Sequence, residues 1–142
     1  MNMNLHLKNI MKNYKKMITY YIFNKIHREN GPAHVSWYKN GQKMYDMYYI
    51  NGEYHREDGP AIKYWYMNGQ KHEEIYYLNN QKHREDGPAY NYWSSVGKLY
   101  KSIYYLFNTI YDKSEWIEKL KEINSPYYED QKVLYDMEKY NL

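Results

Sequence analysis

The side chains best suited to acid–base, metal or anion chemistry are gathered in one seven-residue segment that occurs three times. The copies are His27-Arg28-Glu29-Asn30-Gly31-Pro32-Ala33, His55-Arg56-Glu57-Asp58-Gly59-Pro60-Ala61 and His83-Arg84-Glu85-Asp86-Gly87-Pro88-Ala89. Imidazole, guanidinium and carboxylate in succession could move a proton, hold a divalent ion or grip a phosphate. The spacing argues against the first two. If each copy opens a hairpin, two strands separate equivalent residues, and the three histidines stand roughly 10 Å apart, whereas zinc ligands lie about 2 Å from their metal. Within one copy, neighbouring His, Glu and Asp are poorly spaced to converge on one ion, so neither a metal nor another cofactor is expected. Asn30 stands where the other copies have Asp58 and Asp86. Turn chemistry persists there and the titratable group does not, which reads Asp58 and Asp86 as loop caps rather than acid–base catalysts. Arg56 and Arg84 are expected to pair with Glu or Asp of their own or the adjoining unit. The functional option is a row of partner contacts from Arg28, Arg56 and Arg84.

Other catalytic signatures are absent from the sequence. There is no phosphate-cradling glycine loop, nucleophile elbow or helical histidine pair. With no Cys there is no thiolate ligand, disulfide or cysteine nucleophile. His6, His34 and His72 have no partner set and read as surface or structural. The chain is read as a non-enzyme with no catalytic residues to name.

The elements that must carry these segments follow from the repeat, whose period is 28 residues without insertion or deletion. Trp37, Trp65 and Trp93 fall in register, as do Gly41, Gly69 and Gly97. Tyr-Tyr followed by Ile or Leu appears four times, at Tyr20-Tyr21, Tyr48-Tyr49, Tyr76-Tyr77 and Tyr104-Tyr105. Asn40-Gly41 and Asn68-Gly69 between aromatic runs are strong hairpin signals. The fold class is therefore mainly β, an antiparallel meander with strands near 17–22, 33–39, 43–50, 61–67, 71–78, 89–95 and 98–106. The connection from Asn51-Gly52 through Pro60 reads as a structured loop.

Residues 17–108 form the repeat region, flanked by a basic segment or cap helix over 1–16 and a helical C-terminal cap over 109–142. The cap opens with Asp112 and Glu115, a capping box, and continues with Trp116, Ile117, Leu120 and Ile123 on one stripe. A second helix starts at Ser125-Pro126 and carries Val133, Leu134, Met137 and Tyr140. The two helices are expected to cover an edge or face of the sheet. At the N-terminus, Leu7, Ile10, Met11, Tyr14, Met17 and Ile18 fall at helical spacing.

The whole chain is 142 residues, with 22 Tyr, 4 Trp and a mean hydropathy of −1.08, so one domain must build its core largely from amphipathic rings. No run approaches the roughly 20 apolar residues of a membrane span, and no signal-peptide pattern opens the chain, which suggests a cytoplasmic protein. Its net charge of +3 conceals an asymmetry: residues 1–25 hold five Lys and no acid, while residues 112–142 hold 5 basic and 8 acidic side chains. A membrane surface is disfavoured as partner, because so few lysines make a weak electrostatic anchor.

Asn-Gly-x-x-His, Gly-Pro-Ala, an aromatic strand, Asn-Gly and Tyr-Tyr, in that order over residues 17–108, resemble the MORN repeat family. The resemblance is nearest to the variant His-Arg-Glu-Asp-Gly-Pro-Ala units of large DNA viruses and phages. It implies stacked β-hairpins, a scaffold or adaptor role and no catalytic residues. Independently of the family, repeated Tyr and Trp offer large contact area with few rotors to freeze. The expected role is protein–protein interaction, with a host or viral protein or by self-association, through Trp37, Trp65, Trp93, Tyr21, Tyr49, Tyr77 and Tyr105. The alternative is nucleic-acid or nucleotide binding, with bases stacked on the same rings and phosphates on the N-terminal lysines.

Overall fold

A computed structural model of the chain describes residues 14–141. Its elements are β1 (Tyr14–Thr19), β2 (Tyr21–Ile22), β3 (Lys25–Ile26), β4 (His34–Tyr38), β5 (Lys43–Met47), β6 (Tyr49–Ile50), β7 (Glu53–Tyr54), β8 (Ile62–Trp65), β9 (Lys71–Ile75), β10 (Tyr77–Leu78), β11 (Gln81–Lys82), β12 (Tyr90–Trp93), β13 (Leu99–Leu106), β14 (Thr109–Tyr111), α1 (Lys113–Glu122) and α2 (Tyr128–Tyr140). The structure is mainly β. Eight strands, in the order β1-β4-β5-β8-β9-β12-β13-β14, make one antiparallel meander, and β2–β3, β6–β7 and β10–β11 are short hairpins beside it.

Most of the basic segment 1–16, including the helix expected there, lies outside the described residues. From Tyr14 onward the chain is strand, so the helical stripe does not run through Met17 and Ile18. The β1–β4 ladder pairs Met17 with Ser36 and Ile18 with Val35.

The expected unbroken Tyr-Tyr strands are each cut at the first tyrosine. The backbone N–H of Tyr20, Tyr48 and Tyr76 donates to the carbonyl of Ala33, Ala61 and Ala89, each at 2.8 Å. Their own carbonyls accept from the N–H of His27, His55 and His83. The strand leaves the main ladder there because a Gly-Pro-Ala loop crosses beside it. Only β13 runs through its tyrosine, Tyr104, and no fourth copy of the loop follows it.

The turns also differ from expectation. Asn51-Gly52 does not begin a loop: both residues have positive φ (53° and 86°) and close the β6–β7 hairpin. Phe23-Asn24, Asn79-Asn80 and Phe107-Asn108 make the same turn without glycine. Asn40-Gly41 and Asn68-Gly69, by contrast, sit in longer turns that close with Tyr38 N–H to Gln42 O and Tyr66 N–H to Gln70 O. A β-bulge follows at Trp37 and at Trp65, the arrangement usual when glycine takes the left-handed position of such a loop.

The apolar core is small and divided. Ala33, Ala61 and Ala89 are wholly buried, one per unit, with Val35 and Ile62 nearby in sequence. The densest packing lies at the C-terminal end, where Leu106 of β13 meets Trp116, Ile117 and Leu120 of α1. The capping box forms as the sequence indicates: Asp112 accepts from the Glu115 N–H, and Glu115 reaches back to the Asp112 N–H. The second helix departs from the expectation. It begins at Tyr128, and it turns Tyr128 and Tyr135, two turns apart, toward the core. Val133, Leu134, Met137 and Tyr140 are exposed on its outer side, so this helix covers the first helix rather than the sheet. No helix of the described residues is long and apolar enough to cross a membrane.

Candidate functional site

Each repeated polar segment is consumed in building its own loop and fastening the next unit. The N–H groups of Asn51, Asn79 and Phe107, at the tips of the following hairpins, donate to Nδ1 of His27, His55 and His83 at 3.0, 3.2 and 3.3 Å. In the first copy Asn51 Oδ1 also lies 3.1 Å from Nδ1 of His27. Nε2 faces Glu29, Glu57 and Glu85, and closes to a hydrogen bond of 3.0 Å in the third copy. The glutamates therefore pair with histidine and not with arginine.

Arg56 and Arg84 pair with Asp of their own unit, as expected. Arg56 Nε donates to Asp58 at 2.6 Å, and Arg84 binds Asp86 through Nε at 2.7 Å and Nη2 at 3.3 Å. Arg84 holds the Asp86 carboxyl below its ordinary range, and Arg56 does the same to Asp58. Each guanidinium lies over a tyrosine ring: Arg28 on Tyr20, Arg56 on Tyr48 and Arg84 on Tyr76, at 4.2, 4.1 and 3.9 Å. A Cβ added to Gly31, Gly59 or Gly87 would meet the arginine Cζ at 3.3, 3.2 or 3.3 Å. A side chain at any of the three would press the guanidinium plane aside by a few tenths of an ångström; of the three, only Gly31 also has a positive φ.

The remaining candidates divide between the two faces of the sheet, as alternation along a strand requires. Asp46, Lys63, Glu74 and Asn91 form one cross-strand row, and Tyr45, Tyr64, Glu73 and Tyr92 form the next row on the opposite face. Trp37, Trp65 and Trp93 are half-buried beneath Lys16, Lys43 and Lys71, whose Nζ atoms stand 5.5, 5.6 and 5.1 Å from the ring centres. Lys43 and Lys71 also reach Asp46 and Glu74 at 2.8 Å, which places the tryptophans on the charged face. They form no bare aromatic ridge.

Tyr49, Tyr54 and Tyr77, likewise partly buried, carry no such cations among the described residues and stack on one another instead, at 4.3 and 5.1 Å, with Tyr45 and Tyr64 adjoining at 5.9 Å from each other. Burial raises the Tyr77 hydroxyl and pushes Tyr64 up to about 12. Tyr21 continues the row at the N-terminal end and is 61% exposed, while Tyr105 at the other end lies under Lys82 at 5.1 Å. Tyr54, Tyr45 and Tyr64 were not singled out from the sequence. Tyr54 replaces Ile26 and precedes Lys82 at one repeat position, so periodicity carried no signal for it.

Two open clefts of about 540 and 640 Å³ lie between successive arginine loops. A third of about 580 Å³ lies between β14, α1 and α2. The nearest approach to a catalytic set is Thr19 Oγ1 at 2.7 Å from His34 Nδ1, with Tyr45 hydroxyl at 2.9 Å from Nε2. Burial lowers the His34 pKa. This trio lines none of the three clefts. Among the described residues, no three His, Asp or Glu side chains gather closely enough to hold a metal ion.

The chain matches no protein-family model, no curated protein and no solved structure. Its function is therefore argued from these surfaces alone.

Proposed function

We propose that the chain is a non-enzymatic, MORN-like repeat scaffold of the cytoplasm whose tyrosine face binds another protein. The observation that carries this reading is the stacked row Tyr49–Tyr54–Tyr77, carried by the short hairpins beside the main sheet. Rings held in place by their neighbours lose little freedom when a partner covers them, and half-exposed tyrosine offers apolar area with a polar rim. The opposite face serves this purpose less well, because its tryptophans already carry lysines and its carboxylates already carry cations.

The test is capture of partners from the source cell by the full chain, against a variant with Tyr49, Tyr54 and Tyr77 changed to Ser. Loss of specific partners with an unchanged far-ultraviolet spectrum and melting temperature supports the reading. An unchanged partner set, or steep loss of binding with salt as for a phosphate backbone, rejects it.

A further inference from the structure

The first unit of the array lacks carboxylates that later units carry. In the second and third units, Lys43 pairs with Asp46 and Lys71 with Glu74, each at 2.8 Å. The residue 28 positions before Asp46 is Ile18, so Lys15 has no such acid. Arg56 and Arg84 are held by Asp58 and Asp86, whereas Arg28 faces Asn30 and bonds through Nη1 to the Pro32 carbonyl. Lys25 stands where the second unit has Glu53. Among the described residues none of Lys15, Lys16, Lys25 and Arg28 has a carboxylate partner, and residues 1–25 contain no acid at all.

The same unit is an edge among the described residues. Among the described residues β1 pairs with β4 alone, leaving one row of backbone groups free to pair. Met17, Tyr21, Ile22 and Phe23 are exposed beside it, Phe23 at 96%. Its equivalent in the last unit shows what such a residue does when occupied: Phe107 donates its N–H to His83 and lays its ring 4.1 Å from the imidazole.

We propose that β1 and the β2–β3 hairpin dock an extended acidic segment of a partner protein. The segment adds to the free edge of β1 as a further strand. Its carboxylates neutralise Lys15, Lys16 and Arg28, and its apolar side chains cover Met17, Tyr21 and Phe23. Strand addition of this kind draws affinity from main-chain hydrogen bonds and specificity from alternate side chains. A second copy of the chain does not fit, since pairing β1 with itself crowds lysines together and the other edge strand, β14 (Thr109–Tyr111), offers no carboxylate to answer them. A nucleic acid would answer the cations, but it has no strand backbone to pair with β1. This surface lies beyond the tyrosine face, and its test is independent of that reading.

The probe is a labelled peptide of alternating Glu and Val, about ten residues long, titrated into the full chain. Controls are the Lys/Val peptide and a single-stranded oligonucleotide. Saturable binding of the acidic peptide alone is expected, with slowed amide exchange in residues 14–19. The double variant Lys15→Glu, Lys16→Glu should weaken it about tenfold at an unchanged melting temperature. Asn30→Asp, which hands Arg28 its own carboxylate, should weaken it about two- to threefold. The triple tyrosine variant should leave it unchanged. No binding, equal binding of the basic peptide, tighter binding of the oligonucleotide, or affinity untouched by the charge reversal would each overturn the proposal.

Discussion

The two ends of the sheet meet the same physical problem in opposite ways. At the C-terminal end, Tyr104 receives the Trp116 ring at 4.7 Å, where Tyr20, Tyr48 and Tyr76 receive arginines. The Trp116 Nε1–H then donates to the Arg84 carbonyl at 3.3 Å, and a helix end seals the unit. At the N-terminal end Phe23 is turned outward beside a strand that, among the described residues, has one neighbour only, and beside lysines with no carboxylate partner there. A terminal repeat has a neighbour on one side only and needs either a cap or a partner. Here one end is closed by apolar packing, while the other carries cations without carboxylate partners among the described residues and exposed rings.

The largest test of that contrast is Trp116→Ala. The ring is wholly buried, so truncation should lower unfolding free energy by about 3–5 kcal/mol in urea titration. A loss comparable to that of an exposed residue would mean the C-terminal end is not closed by this ring. Ala61→Leu comes next. The methyl sits at zero exposure where the Gly-Pro-Ala loop crosses Tyr48, and overpacking should cost about 1–3 kcal/mol on thermal melting, without touching either end.

Acid should then loosen the ends in sequence. The His34 pKa is lowered by burial from 6.5, so the fold favours the neutral ring. Its contribution is full above pH 6.5 and fades as pH falls toward the lowered value. The Asp86 pKa is depressed below 3.8 by Arg84, so its contribution persists above 3.8 and is lost only as pH falls through the lower value. Amide exchange at pH 5 should therefore quicken in β1 and β4 before the β12–β13 region. His34→Gln should remove that early step, and simultaneous loosening would refute the contrast. The smallest effect is expected from Asn30→Asp, which should raise stability by less than about 1 kcal/mol in the same titration.

Much of the fold is legible in the residues themselves. The 28-residue period, the alternation of polar and aromatic positions and the Asp112–Glu115 box are visible in the sequence, and the antiparallel meander and the first cap helix appear where they point. Less is legible where one position answers to a distant one. The break at Tyr48 depends on Ala61 crossing beside it, and the turn at Phe23-Asn24 has no glycine to announce it. The outward stripe of the last helix follows from which of its sides finds the first helix, because amphipathicity alone does not say which apolar residues win. A carboxylate partner for Arg56 is legible in the sequence, but Tyr48 and Gly59 on either side of its guanidinium are not.

By itself the sequence determines that this chain repeats, that its repeats are β-hairpins, and that equivalent side chains recur at a regular pitch, since these properties follow from local stereochemistry and period. Only the tertiary structure decides which aromatic rows are covered, which charges are spent and which end stays open. Those outcomes depend on what lies across the strand or loop, and a linear pattern does not encode which of several similar neighbours arrives there.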